Sequence, residues 1–174
     1  VPDGASLQEG FANNDPRALG REHEIAALLA FIKARRIRNV VFVTADVHYT
    51  AAHRYHPDRA AFTDFDPFWE FVSGPMAAET FPDKSDGLDR TFGPEVVFSK
   101  GNDSGRRQSP RDGNQFFGHI AIAKDGRLTV DLHLGALQRE PLAGHQRHAS
   151  VRAHPHAAGR HHGGRQSADA ELLD

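Results

Sequence analysis

Hydrophobic positions follow two different periods along this chain, and each period predicts a type of element. The apolar positions of residues 21–36 recur at intervals of three and four residues: Ile25, Leu28, Leu29 and Ile32. This spacing predicts an amphipathic helix, with acidic residues in its first turn and basic residues in its last. A short β-branched run at residues 40–43 then predicts a buried strand. A helix, a short turn and an apolar strand indicate an α/β fold.

The middle of the chain carries weaker patterns. Residues 49–66 are polar and aromatic without a clear period, which predicts a loop or a short helix, whereas residues 67–73 predict a second strand. Residues 76–80 favour a helical turn. The long segment 81–113 is irregular apart from a short strand expected at residues 96–98.

Two alternating runs near the end of the patterned region predict a hairpin. Residues 115–123 and 127–133 both alternate apolar and polar positions, and Lys124-Asp125-Gly126 lies between them. An Asp-Gly pair between two apolar runs is a strong local hairpin signal, because glycine readily takes the backbone conformation of a tight turn.

The composition changes abruptly at about residue 135. Phe, Trp and Tyr are absent from there on, while His, Arg, Ala and Gly dominate. We therefore divide the chain into residues 1–134, a folded part, and residues 135–174, a tail. The tail is expected to be disordered or translated out of frame and to form no sheet. Residues 167–173 are its best helical segment.

Composition bounds the function. The net charge is −2 in 174 residues, so no nucleic-acid-binding surface is evident. Cysteine is absent, which excludes disulfides, zinc–thiolate sites and thiol catalysis within this stretch. No apolar run has the length of a membrane span. The chain starts at Val1 within loop-like sequence, and we expect it to be a fragment of a longer protein.

The sequence Thr44-Ala45-Asp46-Val47-His48 carries the clearest candidate chemistry. It follows the predicted strand at residues 40–43, and ligands of open α/β sheets bind at the carboxyl ends of strands. A carboxylate oxygen suits a hard cation and an imidazole nitrogen suits a transition metal. The alternatives are an Asp that caps a turn and a His that is merely hydrogen-bonded.

Several sequence blocks, in order, resemble one known family. They are LGREHEIAALLAFIKARRIRNVVFVTADVHYTAAHRYHP, DFDPFWEFVSGP, LDRTFGPEVVFSKG and GNQFFG. Together they resemble the C-terminal part of PhoD-type alkaline phosphatases, which belong to the calcineurin-like metallophosphoesterases. The resemblance extends from about Val1 to His133.

The resemblance implies the C-terminal portion of a four-layer α/β/β/α sandwich with a metal site at the strand ends. It implies hydrolysis of phosphate monoesters or diesters, iron and calcium as metals, and a periplasmic or secreted location. Asp46 and His48 match the family's late metal ligands, with Ala45 in place of a common Gly. The family's earlier ligands lie in an N-terminal half that this sequence does not include. We therefore expect this chain alone to be inactive, and its oligomeric state stays open.

Other side chains have both a functional and a structural interpretation. His53 follows the motif closely and is the candidate for substrate binding or proton donation, although a structural role is equally compatible. His56 precedes Pro57 and is interpreted as a loop residue. The aromatic residues of the second strand favour core packing over a pocket: Phe68, Trp69 and Phe71. The arginines of the irregular segment favour a solvated loop over phosphate attraction: Arg106, Arg107 and Arg111.

Two further hypotheses compete with a phosphatase fragment. One is a truncated, catalytically inactive product whose six tail histidines bind metal weakly. The other is a non-haem iron oxygenase, which also uses carboxylate and imidazole ligands but needs an H-x-D order on a jelly roll. A helix leading into an apolar strand argues against that third class.

Overall fold

The computed structural model describes residues 21–83 and 88–135 together with the backbone of two later strands. Helix α1 (Arg21–Ala34) is the one α-helix among these residues. The strands are β1 (Val41–Thr44), β2 (Thr50–Tyr55), β3 (Phe68–Val72), β4 (Pro94–Lys100), β5 (Gln115–Ile122), β6 (Leu128–Gly135), β7 (His148–Ala153) and β8 (Ala170–Leu173). Short 3₁₀ turns lie at Pro57–Arg59 and Pro110–Asp112.

The strands form two four-stranded sheets. The first has the order β1-β3-β2-β4, in which β1 runs parallel to β3 and the other pairs are antiparallel. The second is an antiparallel meander of β5-β6-β7-β8. Strand β3 is therefore central, with β1 on one side and β2 on the other.

Alternation along β3 separates two apolar layers. Phe68 faces helix α1, where it packs in a cluster with Leu29 and Tyr55. The next residue, Trp69, faces the opposite way and lies with Phe71 against Val130, Leu132 and other residues of the second cluster. The helix thus covers one face of the first sheet and the second sheet covers the other. This is an α/β/β arrangement, so the α/β class is confirmed, while a fourth layer stays a prediction.

The predicted helix and hairpin are confirmed, but β1 is not buried as expected. Among the described strands it lies at the edge of its sheet and pairs with β3. Val43 is 61 % exposed, whereas its neighbour Phe42 packs against the cluster on the helix-covered face. A β-branched run can therefore form an edge strand as well as a central one.

Three expectations for the middle of the chain are corrected. The structure forms strand β2 within residues 49–66, where a loop or short helix was expected. Its sequence, TAAHRY, has no alternation because nearly every position is buried in a central strand. Strand β4 is longer than residues 96–98. Residues 76–78 form a bend rather than a helical turn, and Thr80 forms an isolated bridge with Gln108.

The expectation that the tail forms no sheet is wrong for two segments. Strand β7 pairs with β6, and β8 pairs with β7. Strand β8 lies within residues 167–173, which the sequence favoured as a helix. The pairing of β7 follows from the hairpin, because β5 occupies one side of β6 and the backbone groups on its other side are available to a further strand. The rest of the tail and residues 1–20 lie outside the described residues, so the division at residue 135 stays a prediction.

The layer between the sheets generates a stability prediction. Phe71 is 1 % exposed, whereas Phe31 on helix α1 is 51 % exposed. We expect Phe71→Ala to lower the free energy of unfolding by about 3–5 kcal/mol, because it leaves a cavity between the sheets. Phe31→Ala removes the same atoms from a largely wet site and should cost about 1 kcal/mol or less. Urea unfolding of both variants measures the difference, and equal losses would contradict this packing.

Candidate functional site

The candidate ligands lie in the five-residue connection between β1 and β2. Asp46 and His48 both have left-handed backbone conformations, with φ of 88° and 61°. Such a conformation costs a non-glycine residue about 1–2 kcal/mol, although Asp tolerates it better than most. Val47, between them, is buried and anchors the connection, while Asp46 is exposed and His48 half-buried. Neither candidate side chain is enclosed in the apolar core, and the strain marks a candidate functional turn.

The imidazole of His48 is held in one tautomer. Its Nδ1 lies 2.5 Å from the backbone carbonyl oxygen of Glu79. A carbonyl only accepts hydrogen bonds, so Nδ1 carries the proton and donates it. Nε2 of the neutral ring is then unprotonated and presents a lone pair. Metal-binding histidines are oriented by such a contact.

A second contact fixes the plane of the same ring. His48 stacks on Phe81 with ring centroids 4.5 Å apart, and the Phe81 amide donates to the His48 carbonyl at 3.0 Å. The guanidinium of Arg107 lies 4.9 Å from the centroid of Phe81. One aromatic ring therefore contacts both an imidazole and a permanent cation, from segments far apart in sequence.

Asn102 holds the segment that carries Phe81. It is 5 % exposed, its backbone amide donates to the Phe81 carbonyl at 3.1 Å, and its side-chain amide donates to the carbonyls of Thr80 and Arg106. Sequence reasoning missed Asn102, Phe81 and Glu79. The run Asn102-Asp103-Ser104-Gly105 was the available signal, since Asn and Gly favour turns.

His53 lies in the interior of the first sheet rather than beside the connection that carries Asp46 and His48. It is completely buried in β2, and its Nδ1 lies 3.5 Å from Oε2 of Glu70. That distance indicates an electrostatic contact rather than a well-formed hydrogen bond. In this structure His53 has no access to a substrate, so its burial favours the structural interpretation. His56 accepts a hydrogen bond from the Asp58 amide at the start of a 3₁₀ turn, as expected of a loop residue.

Glu70 is a buried carboxylate that sequence reasoning also missed. The Thr44 hydroxyl donates to its Oε1 at 2.7 Å and the Tyr55 hydroxyl donates to its Oε2 at 2.8 Å. Burial by itself raises the pKa of Glu70, whereas the contact with His53, nearby positive charge and the Thr44 hydroxyl lower it, and the resulting pKa lies below the ordinary value of a glutamate. Burial and the neighbouring carboxylate raise the pKa of Tyr55 well above its ordinary range, so its hydroxyl stays a donor.

The donor chemistry at the β1–β2 connection fits part of a metal site. Asp46 offers carboxylate oxygen and His48 offers an oriented imidazole nitrogen. Among residues 21–83 and 88–135, no three His, Cys, Asp or Glu side chains gather as a metal-binding group. The aromatic residues of β3 are core residues, as favoured from the sequence.

Comparison with known proteins assigns the family. A family model described as PhoD-like phosphatase matches residues 5–138, which is most of the chain. The chain therefore belongs to the PhoD-like phosphatase family, and the resemblance drawn from its sequence blocks is confirmed. This membership indicates phosphatase function and a phosphate ester as substrate. Searches of curated proteins and of solved structures gave no match.

A search for membrane spans gave a negative result. Within the described part of the chain, no helix is both long and apolar enough to cross a bilayer.

The lowered pKa of Glu70 generates a pH prediction. A carboxyl group with a lower pKa in the folded chain stabilises the fold above its unfolded pKa of about 4.3, and this contribution is lost as the pH falls through the folded pKa. We expect Glu70→Gln to cost about 1–3 kcal/mol at pH 6. Between pH 6 and pH 3, the free energy of unfolding of the Glu70→Gln variant should then fall less than that of the wild type.

Urea unfolding at several pH values measures this difference, and Asp66→Asn is the control. Asp66 is exposed, so its replacement should leave the pH dependence of the wild type in place. Parallel stability curves for Glu70→Gln and the wild type would contradict a lowered pKa.

Proposed function

We propose that this protein contributes to the metal-dependent hydrolysis of phosphate monoesters or diesters, with Asp46 and His48 as two of the metal ligands. Family membership supports the phosphatase class. The observation that carries the metal assignment is the hydrogen bond from His48 Nδ1 to the Glu79 carbonyl, because it leaves Nε2 unprotonated and fixed in direction. By resemblance, the metals are calcium and iron.

Each residue of the site has a distinct task in this proposal. A bound metal supplies charge neutralisation and a water of lowered pKa. Asp46 provides a negatively charged oxygen ligand that suits a hard cation such as calcium. His48 provides a nitrogen ligand that suits iron, and the Glu79 carbonyl makes that nitrogen more basic.

In this proposal Arg107 binds the phosphate group of the ester. Its guanidinium lies against Phe81, the ring on which His48 stacks. A guanidinium donates two parallel hydrogen bonds to phosphate oxygens and keeps its charge at every physiological pH. Arg107 is exposed in an irregular segment, as the sequence favoured, and its contact with Phe81 is the observation that motivates this role.

Two ligands do not complete the first shell of a catalytic metal cluster. Metal-assisted catalysis needs a fixed and complete ligand set. We expect the 174-residue chain on its own to bind metal at the β1–β2 connection but to hydrolyse a chromogenic phosphodiester no faster than buffer. Metal-dependent turnover that Asp46→Ala abolishes would contradict this expectation and would strengthen the ligand assignment.

Metal binding can be tested without activity. Titration of the isolated chain with Mn²⁺, followed by proton NMR of the histidine rings, should broaden the His48 resonances first. His48→Gln and Asp46→Asn should each weaken the binding detected at this site by about tenfold or more, since each removes a ligand. His56→Gln is the matched control and should leave the broadening of His48 unchanged.

Two results of that titration would contradict the proposal. One is broadening confined to histidines of residues 135–174, which favours the alternative of an inactive product with a weakly metal-binding tail. The other is a His48 response that survives Asp46→Asn with unchanged midpoint.

Phosphate recognition gives a separate prediction. In the presence of Mn²⁺, inorganic phosphate should perturb the resonances of Phe81 and of the Arg107 side chain. Arg107→Ala should weaken phosphate binding about tenfold or more, because a hydrogen bond to a charged group is lost. Arg111→Ala removes an equally charged, exposed side chain nearby in sequence and is the control. Equal losses in the two variants would mean that only general charge attraction is involved.

A further inference from the structure

Glu70 is a charged residue that the proposed chemistry does not use. It is 0 % exposed at the centre of β3, where it lies opposite Phe42 of β1 and His53 of β2. A carboxylate removed from water destabilises a fold unless its oxygens accept hydrogen bonds. Here one oxygen accepts from β1, through Thr44, and the other accepts from β2, through Tyr55.

Thr44 connects this carboxylate to the candidate site. It is the last residue of β1, and Asp46 follows two positions later. Its hydroxyl donates to Glu70, and its carbonyl accepts from the Ser73 amide at 3.0 Å. Both its side chain and its backbone are therefore attached to the segment that contains β3.

The end of β1 needs such an attachment. Edge strands fray more readily than central strands, and β1 lies at the edge of the sheet that the described strands form. The connection that follows contains two residues in the strained left-handed region, Asp46 and His48. Strained conformations persist only where the surrounding structure holds them. A hydrogen bond to an ionised acceptor is roughly twice as strong as one between neutral groups.

We propose that Glu70 is a positioning residue for the candidate metal-binding connection: its buried carboxylate, fixed by Tyr55, holds the Thr44 hydroxyl and thereby the strand end from which Asp46 and His48 follow. Glu70 contacts neither metal nor substrate in this account. The inference rests on the proposed function for its consequence in metal binding, but the attachment itself can be tested without metal.

The test compares two substitutions of Thr44, one that removes its hydroxyl and one that removes its methyl group. Thr44→Val keeps the shape and the β-branch but removes the hydroxyl, whereas Thr44→Ser keeps the hydroxyl and removes a methyl group. Amide hydrogen exchange of residues 45–49 in the metal-free chain is the first measurement. Thr44→Val should accelerate it about tenfold, and Thr44→Ser should stay within about twofold of the wild type, since only the former releases the strand end.

Mn²⁺ binding, followed by broadening of the His48 ring resonances, is the second measurement. Thr44→Val should raise the Mn²⁺ midpoint about tenfold, and Thr44→Ser should leave it near the wild-type value. Thr129→Val, in β6 of the other sheet, is the control for the substitution itself. A role in general stability alone would accelerate exchange in all core strands together and would not separate the two Thr44 variants.

The outcomes distinguish this inference from the proposed function. If Mn²⁺ leaves His48 of the wild type unaffected, the proposed metal site fails, while hydrogen exchange still decides the role of Glu70 and Thr44. Equal exchange rates at residues 45–49 in Thr44→Val and Thr44→Ser would overturn the inference. If Thr44→Val does not fold, Thr44→Ala compared with Thr44→Ser gives the same contrast of hydroxyl absent and hydroxyl present.

Discussion

A single buried carboxylate constrains the arrangement of the first sheet. Glu70 is completely buried, and its charge is stabilised by hydrogen bonds from the hydroxyls of Thr44 and Tyr55 and by the contact with His53. Those donors belong to the two strands that flank β3, one parallel and one antiparallel. The strands must keep their register for both bonds to form. The site at the end of β1 therefore depends on an interaction in the interior of the sheet.

The candidate site itself is assembled from three segments that are distant in sequence. The β1–β2 connection supplies Asp46 and His48, a second segment supplies the Glu79 carbonyl and the Phe81 ring, and a third supplies Arg107. The last two segments have no regular secondary structure, and backbone bonds between Thr80 and Gln108 join them. This arrangement is typical of binding sites, in which a rigid sheet fixes the end of a strand and irregular segments supply side chains for ligand contacts.

Local patterns predicted the elements whose signals lie within a few residues. The period of helix α1, the β-branched run of β1 and the Asp-Gly turn between β5 and β6 all depend on short-range physics. Strand β2 was missed because a strand buried on both faces has no alternation to detect, and alanine is a weak strand former. The tail strands were missed because their pairing depends on the free edge of β6 rather than on their own composition.

The candidate site was predictable only in part, for the same reason. Asp46 and His48 were predicted from their position after a strand and from the sequence resemblance, and their role as metal ligands stays a prediction. The interior location of His53 follows from β2 being a central strand, which no local pattern revealed. Glu79 acts through its backbone carbonyl, so its side-chain identity carries no signal at all.

The tautomer of His48 tests the central claim most directly, because the metal assignment requires Nε2 to be unprotonated. A two-dimensional ¹H–¹⁵N spectrum of the histidine side chains, recorded on the metal-free chain above the pKa of an ordinary histidine, distinguishes the two ring nitrogens. The account predicts that His48 carries its proton on Nδ1, with that proton protected from exchange by the Glu79 carbonyl. A proton on Nε2, or rapid exchange between both tautomers, would contradict it.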